Sequence, residues 1–536
     1  MQLPVLQSSS LPVLQITMHH LLEKKHTGLL LPLFSMRSKQ DWGIGDISGM
    51  AKWIDAAAAL NLDLIQLLPV NEMPPGAECP YTALSAFAID PIFIAIDDIP
   101  ELSECPELKK ELAAKRFQTE LRHLRRSTIV HYNDIKGLKF KILWKIYCAF
   151  HENHILKDTA AAKDFFAFTG KNAFWLDDYA LFRRLKDTHN WTSWTHWEES
   201  LRRHDSAALK EFEAANENQV MFFKYLQWVI DRQWRAARVH AAARGILLIG
   251  DLPFMVNQES ADVWARQNEF DIQKEVGAPP DAFSETGQKW GLPAYRWDEV
   301  EKNNFEWWRL KVKKSADFYD LFRIDHMVGF FRTWIIPHDV NLKSHFDITD
   351  PAAQRARGAR FLQAVLGASG MLPVAEDLGL IPPFVYEVLT EMAIPGYKVM
   401  RWEKDKSGQY AEPENYPRVG FATSSTHDNE PVADWWDTVD PVEKKLFWTM
   451  VSGRNEKPPL FSKAREAVIR KLLKAASSLL ILPIQDIFGS KDRINTPNTM
   501  GVHNWTYKFP TPVEHLFKKH KVLLNNFAAM VKEERK

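Results

Sequence analysis

Cysteine is scarce in this sequence. Only Cys79, Cys105 and Cys148 occur among 536 residues, an odd number at spacings that fit no framework. That scarcity excludes a disulfide-stapled secreted scaffold and implies reduced thiols in a cytosol-like compartment. An excess of one charge is lacking too. Lys plus Arg and Asp plus Glu both number 68, so no net field favours nucleic acid or an anionic membrane, and a neutral partner fits best. No run approaches 18 uninterrupted apolar residues, so no segment reads as a membrane span. The close histidine pairs, His19-His20 and His151-His154, form no ligand motif such as H-E-x-x-H, and no metal is expected. A leader is absent from the expectation as well. "MQLPVLQSSSLPVLQITMHH" repeats LPVLQ, but prolines interrupt it and no basic stretch precedes an apolar core. Residues 1–25 therefore read as an N-terminal tail, with Met18 available as a second start.

Aromatics are plentiful, with 20 Trp and 32 Phe. Core filling claims most of them, and the remainder can stack against sugars or bases. Short apolar runs ending in polar or glycine residues recur between segments of helical period, the pattern of a parallel sheet wrapped by helices. Eight are found: "TGLLLPLF" (27–34), "LDLIQLLPV" (62–70), "GILLIGDLPF" (245–254), "DLFRID" (320–325), "MLPVAED" (371–377), "GYKVMRW" (396–402), "VGFATSSTHD" (419–428) and "LLILPIQDIFG" (479–489). Eight strand–helix units predict an α/β fold, a closed (β/α)8 TIM barrel without a separate C-terminal β domain. The rival is an open, doubly wound sheet, but "GIGDISG" at 43–49 lacks the G-x-G-x-x-G spacing of a dinucleotide site.

About 170 residues separate the second and third runs, far more than one barrel connection needs. They read as a mostly helical inserted subdomain at about 95–240. Its last helix, near 219–242, carries Phe222, Phe223, Leu226, Val229 and Ile230 at helical spacing and should pack back onto the barrel. "WLDDYALFRRLKD" at 175–187 reads as another helix, and Trp191, Trp194 and Trp197 favour packing over sugar stacking. The expected organisation is a catalytic barrel over 26–520, interrupted by the insertion and by an active-site loop at about 256–300, with a C-terminal helix at 521–536.

In such a barrel the active site forms at the C-terminal ends of the strands. Asp251 ends the third run, Asp325 the fourth, Glu376 and Asp377 the fifth and Asp428 the seventh. Any one of them could cap a following helix. Acids at the ends of four strands, gathered at one rim, would repel one another and lose hydration, a stability cost that points to function. Arg323 and Asp325 share a strand face by period-two alternation. A neighbouring guanidinium favours a charged carboxylate, which a nucleophile requires and a general acid must avoid, so Glu376 takes the acid role. One nucleophilic and one proton-donating carboxyl are the equipment for cleaving a glycosidic bond, with retention if they stand about 5–5.5 Å apart.

These same stretches resemble glycoside hydrolase family 77, the 4-α-glucanotransferases (amylomaltases or disproportionating enzymes) of the α-amylase clan. The resemblance runs from about residue 26 to 510 through "LPLFSMRSKQDWGIGD", "CPYTALSAFAIDP", "GDLPFMVNQESADVW", "GAPPDAFSETGQKWGLPAYRW", "RIDHMVGFFRTWIIP", "VAEDLGLIPP", "STHDNEP" and "NTPNTMGVHNW". It implies that Asp325 is the nucleophile, Glu376 the acid/base, and Asp428 the third acid that binds sugar hydroxyls and steadies the distorted ring. Arg323 and His427 would line the same donor subsite, Asp251 would support it, and Tyr81 would border the sugar. Gln288 and Trp290, in the 276–290 loop, would shape the acceptor side and exclude water, and Asn495 would join them. Many members read RIDHFRGF where this chain has RIDHMVGF, and a serine where it has Cys79.

The implied reaction transfers α-1,4-glucan segments from a maltooligosaccharide to the 4-hydroxyl of a glucan or glucose. Partners would be maltodextrin, glycogen or starch, with no nucleic acid, membrane, metal or organic cofactor, and the location the cytoplasm or a plastid stroma. The rivals are an α-glucan hydrolase sharing every carboxylate and a silent sugar-binding barrel.

Overall fold

A computed structural model describes residues 18–280, 287–497, 499, 501 and 503–535. Among them the strands are β1 (His26–Leu30), β2 (Leu64–Gln66), β3 (Leu247–Leu252), β4 (Phe270–Ala278), β5 (Gln288–Tyr295) and β6 (Leu321–Ile324). Then come β7 (Trp334–Pro337), β8 (His345–Phe346), β9 (Leu372–Ala375), β10 (Gly396–Val399), β11 (Gly420–Thr423) and β12 (Leu479–Pro483). Eight of these close into a barrel in the order β1-β12-β11-β10-β9-β6-β3-β2. Every barrel pairing is parallel. Each barrel strand falls within one of the eight apolar runs, save that β1 begins one residue ahead of its run at His26, so the predicted barrel is the fold.

The runs are continuous because a barrel strand is covered on both faces, by the filled interior and by the helical ring. Leu479–Pro483 is buried at every position, and so are Leu321–Ile324 and Leu372–Ala375. Close packing shows at Gly250, where a Cβ would overlap the Tyr319 ring. The polar residues Asp251 and Arg323 are buried near the ends of β3 and β6, paired in register, which places both at one rim.

Between β2 and β3 the chain is largely helical, including Pro106–Ala113, Lys115–Arg126, Tyr132–Phe150, Ala160–Thr188, Ser206–Ala215 and Glu217–Ala243. The last of these returns to the barrel. Trp234 Nε1 donates to Phe318 O at 3.0 Å, and Arg238 pairs with Asp320 at 2.9 Å, both just ahead of β6. Trp175, Tyr179 and Phe182 are buried on helix 160–188, and Trp194 and Trp197 are buried beside it, so these aromatics fill a core.

The segment read from sequence as an active-site loop at 256–300 contains a hairpin. β4 and β5 pair antiparallel and join β7 and β8 in a second sheet of order β5-β4-β7-β8. Its residues alternate poorly because register shifts occur between Asp271 and Glu275 and between Val276 and Gly277, which hides strand periodicity from the sequence. Residues 281–286 of the 276–290 loop lie outside the described residues.

Candidate active site

The strand ladder itself places two of the acids. Asp325 N donates to Leu252 O at 3.2 Å and Glu376 N to Ile324 O at 3.0 Å, so backbone pairing runs past the strand ends and fixes where each side chain starts. Arg323 stands between them. Its Nη1 donates to Asp251 Oδ1 and Oδ2 at 2.8 and 3.0 Å and to Asp325 Oδ1 at 2.9 Å, while Nη2 lies 3.8 Å from Glu376 Oε2. One guanidinium thus touches carboxylates from three strand ends.

Tyr81 closes the other side. Its hydroxyl donates to Asp251 Oδ2 at 2.7 Å and lies 3.2 Å from His427 Nε2, and the two rings stack at 5.7 Å. His427 Nε2 is in turn 3.2 Å from Asp428 Oδ2, and Asn495 Nδ2 donates to Asp428 Oδ1 at 2.7 Å. Asn495, expected with Gln288 and Trp290, therefore bonds Asp428. Gln288 Oε1 accepts from Trp290 Nε1 at 3.0 Å, and the Trp290 ring meets the His326 ring edge-on at 4.7 Å. Through His326, immediately after Asp325, the hairpin reaches the carboxylates.

The environments of the acids differ. Glu376 is pushed up to about 7 by burial and by the neighbouring Asp325 charge, with Arg323 opposing. At Asp428 burial also acts upward, but His427, the Asn495 amide and Arg323 outweigh it and hold the carboxyl well below the usual range. Side-chain exposures of 21% for Asp325, 14% for Glu376 and 39% for Asp428 leave all three reachable from solvent. Burial pushes the Cys79 thiol up to about 12, so the residue replacing the family's serine is a neutral wall rather than a nucleophile.

Several residues in this network were not picked out from the sequence. Trp505 sits 5.6 Å from both the Tyr81 and His427 rings. Arg493 Nη2 donates to Asp428 O at 3.3 Å, and His326 N donates to Glu376 Oε2 at 2.8 Å. Trp505 lay within the quoted NTPNTMGVHNW stretch, where a motif aromatic was the available signal. His326 acts through its backbone N–H, which no residue type announces, and the Arg493 guanidinium bonds a backbone carbonyl that only the fold brings to it. Among the described residues no cluster of His, Cys, Asp or Glu is suited to hold a metal ion.

A parallel barrel whose rim carries an arginine-paired carboxylate, a second carboxyl held near neutrality and a third acid defines an enzyme that works on glycosidic bonds. The chain belongs to the 4-alpha-glucanotransferase family, glycoside hydrolase family 77, whose pattern it matches over residues 31–514. The 4-alpha-glucanotransferase of Chlamydia pneumoniae is 30% identical over 504 residues, 92% of each chain. That of Thermus thermophilus is 33% identical over 461 residues, 83% of this chain and 86% of its own. The chloroplastic/amyloplastic enzyme of Solanum tuberosum is 29% identical over 516 residues, 91% of this chain and 83% of its own. In fold the chain resembles the amylomaltase of Streptococcus agalactiae solved with acarbose, with TM-score 0.79, 24% identity and coverage of 95% and 99%. Its activity is 4-α-glucan transfer. No helix among the described residues is long and apolar enough to cross a membrane.

Proposed function

We propose that this enzyme transfers α-1,4-glucan segments by a retaining double displacement in which Asp325 is the nucleophile and Glu376 the acid/base. Asp325 attacks the anomeric carbon while Glu376 protonates the leaving 4-oxygen. The glycosidic bond breaks, an ester to Asp325 forms, and the reducing-end fragment departs. Glu376, now a carboxylate, takes the proton from the 4-hydroxyl of an incoming glucan, whose oxygen displaces Asp325 and restores an α-1,4 bond. Asp428, held by Asn495 and His427, binds hydroxyls of the ring at the cleavage point, and Tyr81 borders it. Asp251 holds Arg323 in place for Asp325. Gln288 and Trp290 line the acceptor side.

The observation that carries this reading is the single Arg323 guanidinium set against both Asp325 and Glu376, with burial raising Glu376 to about 7. A carboxyl with that value carries a proton for half the cycle and can return it in the other half. The site needs no redox or carbanion chemistry for either step, since both are acid/base and covalent catalysis by side chains. Substrates of this class, maltooligosaccharides and larger α-glucans, agree with the acarbose complex of the streptococcal amylomaltase. We place the enzyme in the cytoplasm or, by analogy with the potato relative, in a plastid.

Incubation with maltotriose tests the reaction type. Transfer produces glucose and a ladder of longer glucans at a constant number of reducing ends. A steadily rising number would identify a hydrolase instead.

A further inference from the structure

His326 follows the nucleophile directly and adopts a left-handed backbone, φ 45° and ψ 52°. A left-handed backbone is uncommon for any residue with a side chain, and it persists only where its surroundings hold it. The consequence of that conformation is visible on the neighbouring barrel strand. The chain turns so that the His326 peptide N–H points across to β9 and donates to Glu376 Oε2 at 2.8 Å. A second bond runs the same way, since Met327 N donates to Glu376 O at 3.1 Å.

Three features hold the residue in this shape. The Trp290 ring of the β4–β5 hairpin packs edge-on against the imidazole at 4.7 Å and 87°, and the Phe254 ring does so at 5.4 Å and 66°. Gly329 supplies the room, for a Cβ there would lie 2.7 Å from both His326 Cδ2 and Phe254 Cζ. Gly329 N also donates to His326 O at 2.9 Å. Burial lowers the imidazole to about 4, so the ring is neutral at ordinary pH and adds no charge beside Asp325.

Resting on the acid/base reading of Glu376, we propose that His326 is a positioning residue: its left-handed backbone, clamped by Trp290, aims a peptide N–H at Glu376 and so couples the acceptor-side hairpin to proton transfer. The N–H orients one carboxyl oxygen and favours the charged form that receives the acceptor's proton. The other groups facing Glu376 are Arg323 and Asp325 from the end of β6, Asp377 beside it and Tyr397 from β10. None of these is carried by the hairpin, and among the described residues Trp290 reaches the acid through His326.

The test is a series ordered by tolerance of the left-handed region rather than by size or polarity. Gly and Asn accept it and β-branched Val does not. His326→Gly and His326→Asn are expected to keep kcat within about threefold of the parent, and His326→Val to lose about 10- to 100-fold. In the Val variant the lost N–H also raises Glu376, so the alkaline limb of kcat/KM should move up by about half to one pH unit. Trp290→Ala should lower kcat in the parent and much less in the Val background. Equal losses for Gly, Asn and Val would show that the ring, not the backbone, matters and would overturn the proposal. An unmoved limb in His326→Val, or additive effects with Trp290→Ala, would overturn it also. Glu376→Gln separates this from the reading beneath it: near-parental activity in that variant refutes the acid/base assignment itself, whatever the His326 series shows.

Discussion

Two buried arginines in this molecule meet carboxylates in opposite ways. In the insertion, Arg183 Nε donates to Glu72 Oε1 at 2.9 Å, Tyr179 donates its hydroxyl to Glu72 Oε2, and the guanidinium is covered by the Trp191 and Phe223 rings, each 4.7 Å away. Both Glu72 oxygens are taken and the carboxylate is 2% exposed. At the barrel rim Arg323 is as buried as Arg183, yet it divides itself among Asp251, Asp325 and Glu376, two of which stay partly open to solvent. The closed cluster ties a helix of the insertion to the segment after β2. The open cluster leaves charge available to a substrate. The lesson is that an ion pair serves structure when its oxygens are satisfied and chemistry when they are not.

Substitution should separate the two. Asp325→Asn is expected to lower kcat by at least about 1,000-fold while the thermal unfolding midpoint stays within a few degrees, because the proposed nucleophile goes but Arg323 keeps Asp251. A variant with both activity and stability lost would make the rim cluster structural after all. Arg183→Met should do the reverse: leaving Glu72 buried without its cation costs about 3–5 kcal/mol, seen in denaturant unfolding, with kcat per folded molecule preserved. A comparable loss of kcat at unchanged stability would erase the contrast.

The smallest effect sharpens the comparison through pH. Glu376 is raised in the folded protein, so the stability it permits is fully present below about 4.5 and is lost as pH rises through about 7. Glu376→Gln escapes this loss. Its unfolding midpoint should match the parent near pH 4 and exceed it above pH 7, by up to about 3 kcal/mol. The parent's activity should fall on the alkaline side near pH 7, where the acid loses its proton. A variant equal to the parent at both pH values would mean that Glu376 is not held neutral by burial.

Much of this was legible before the structure. Barrel strands declare themselves because both faces are buried and their runs are uninterrupted, as in Leu479–Pro483, and the rim acids follow from where each run stops. The hairpin was not legible: β4 and β5 carry register shifts, so their alternation breaks and the segment reads as loop. Asn495 shows a second limit. Its type fits many sugar contacts, and only the closing of the chain brings it 2.7 Å from Asp428 across 67 positions. His326 shows a third, since a left-handed backbone N–H leaves no mark on residue identity.

The proposed double displacement requires a covalent bond between Asp325 and the transferred glucan, and that bond can be trapped. Glu376→Gln, fed an α-glucosyl fluoride donor that needs no proton to depart, should accumulate the ester. Peptide mass spectrometry should then find the glucosyl mass on the fragment holding Asp325 and on no other. Release of glucose of inverted configuration without any adduct, or the sugar mass on a different carboxylate, would contradict the account.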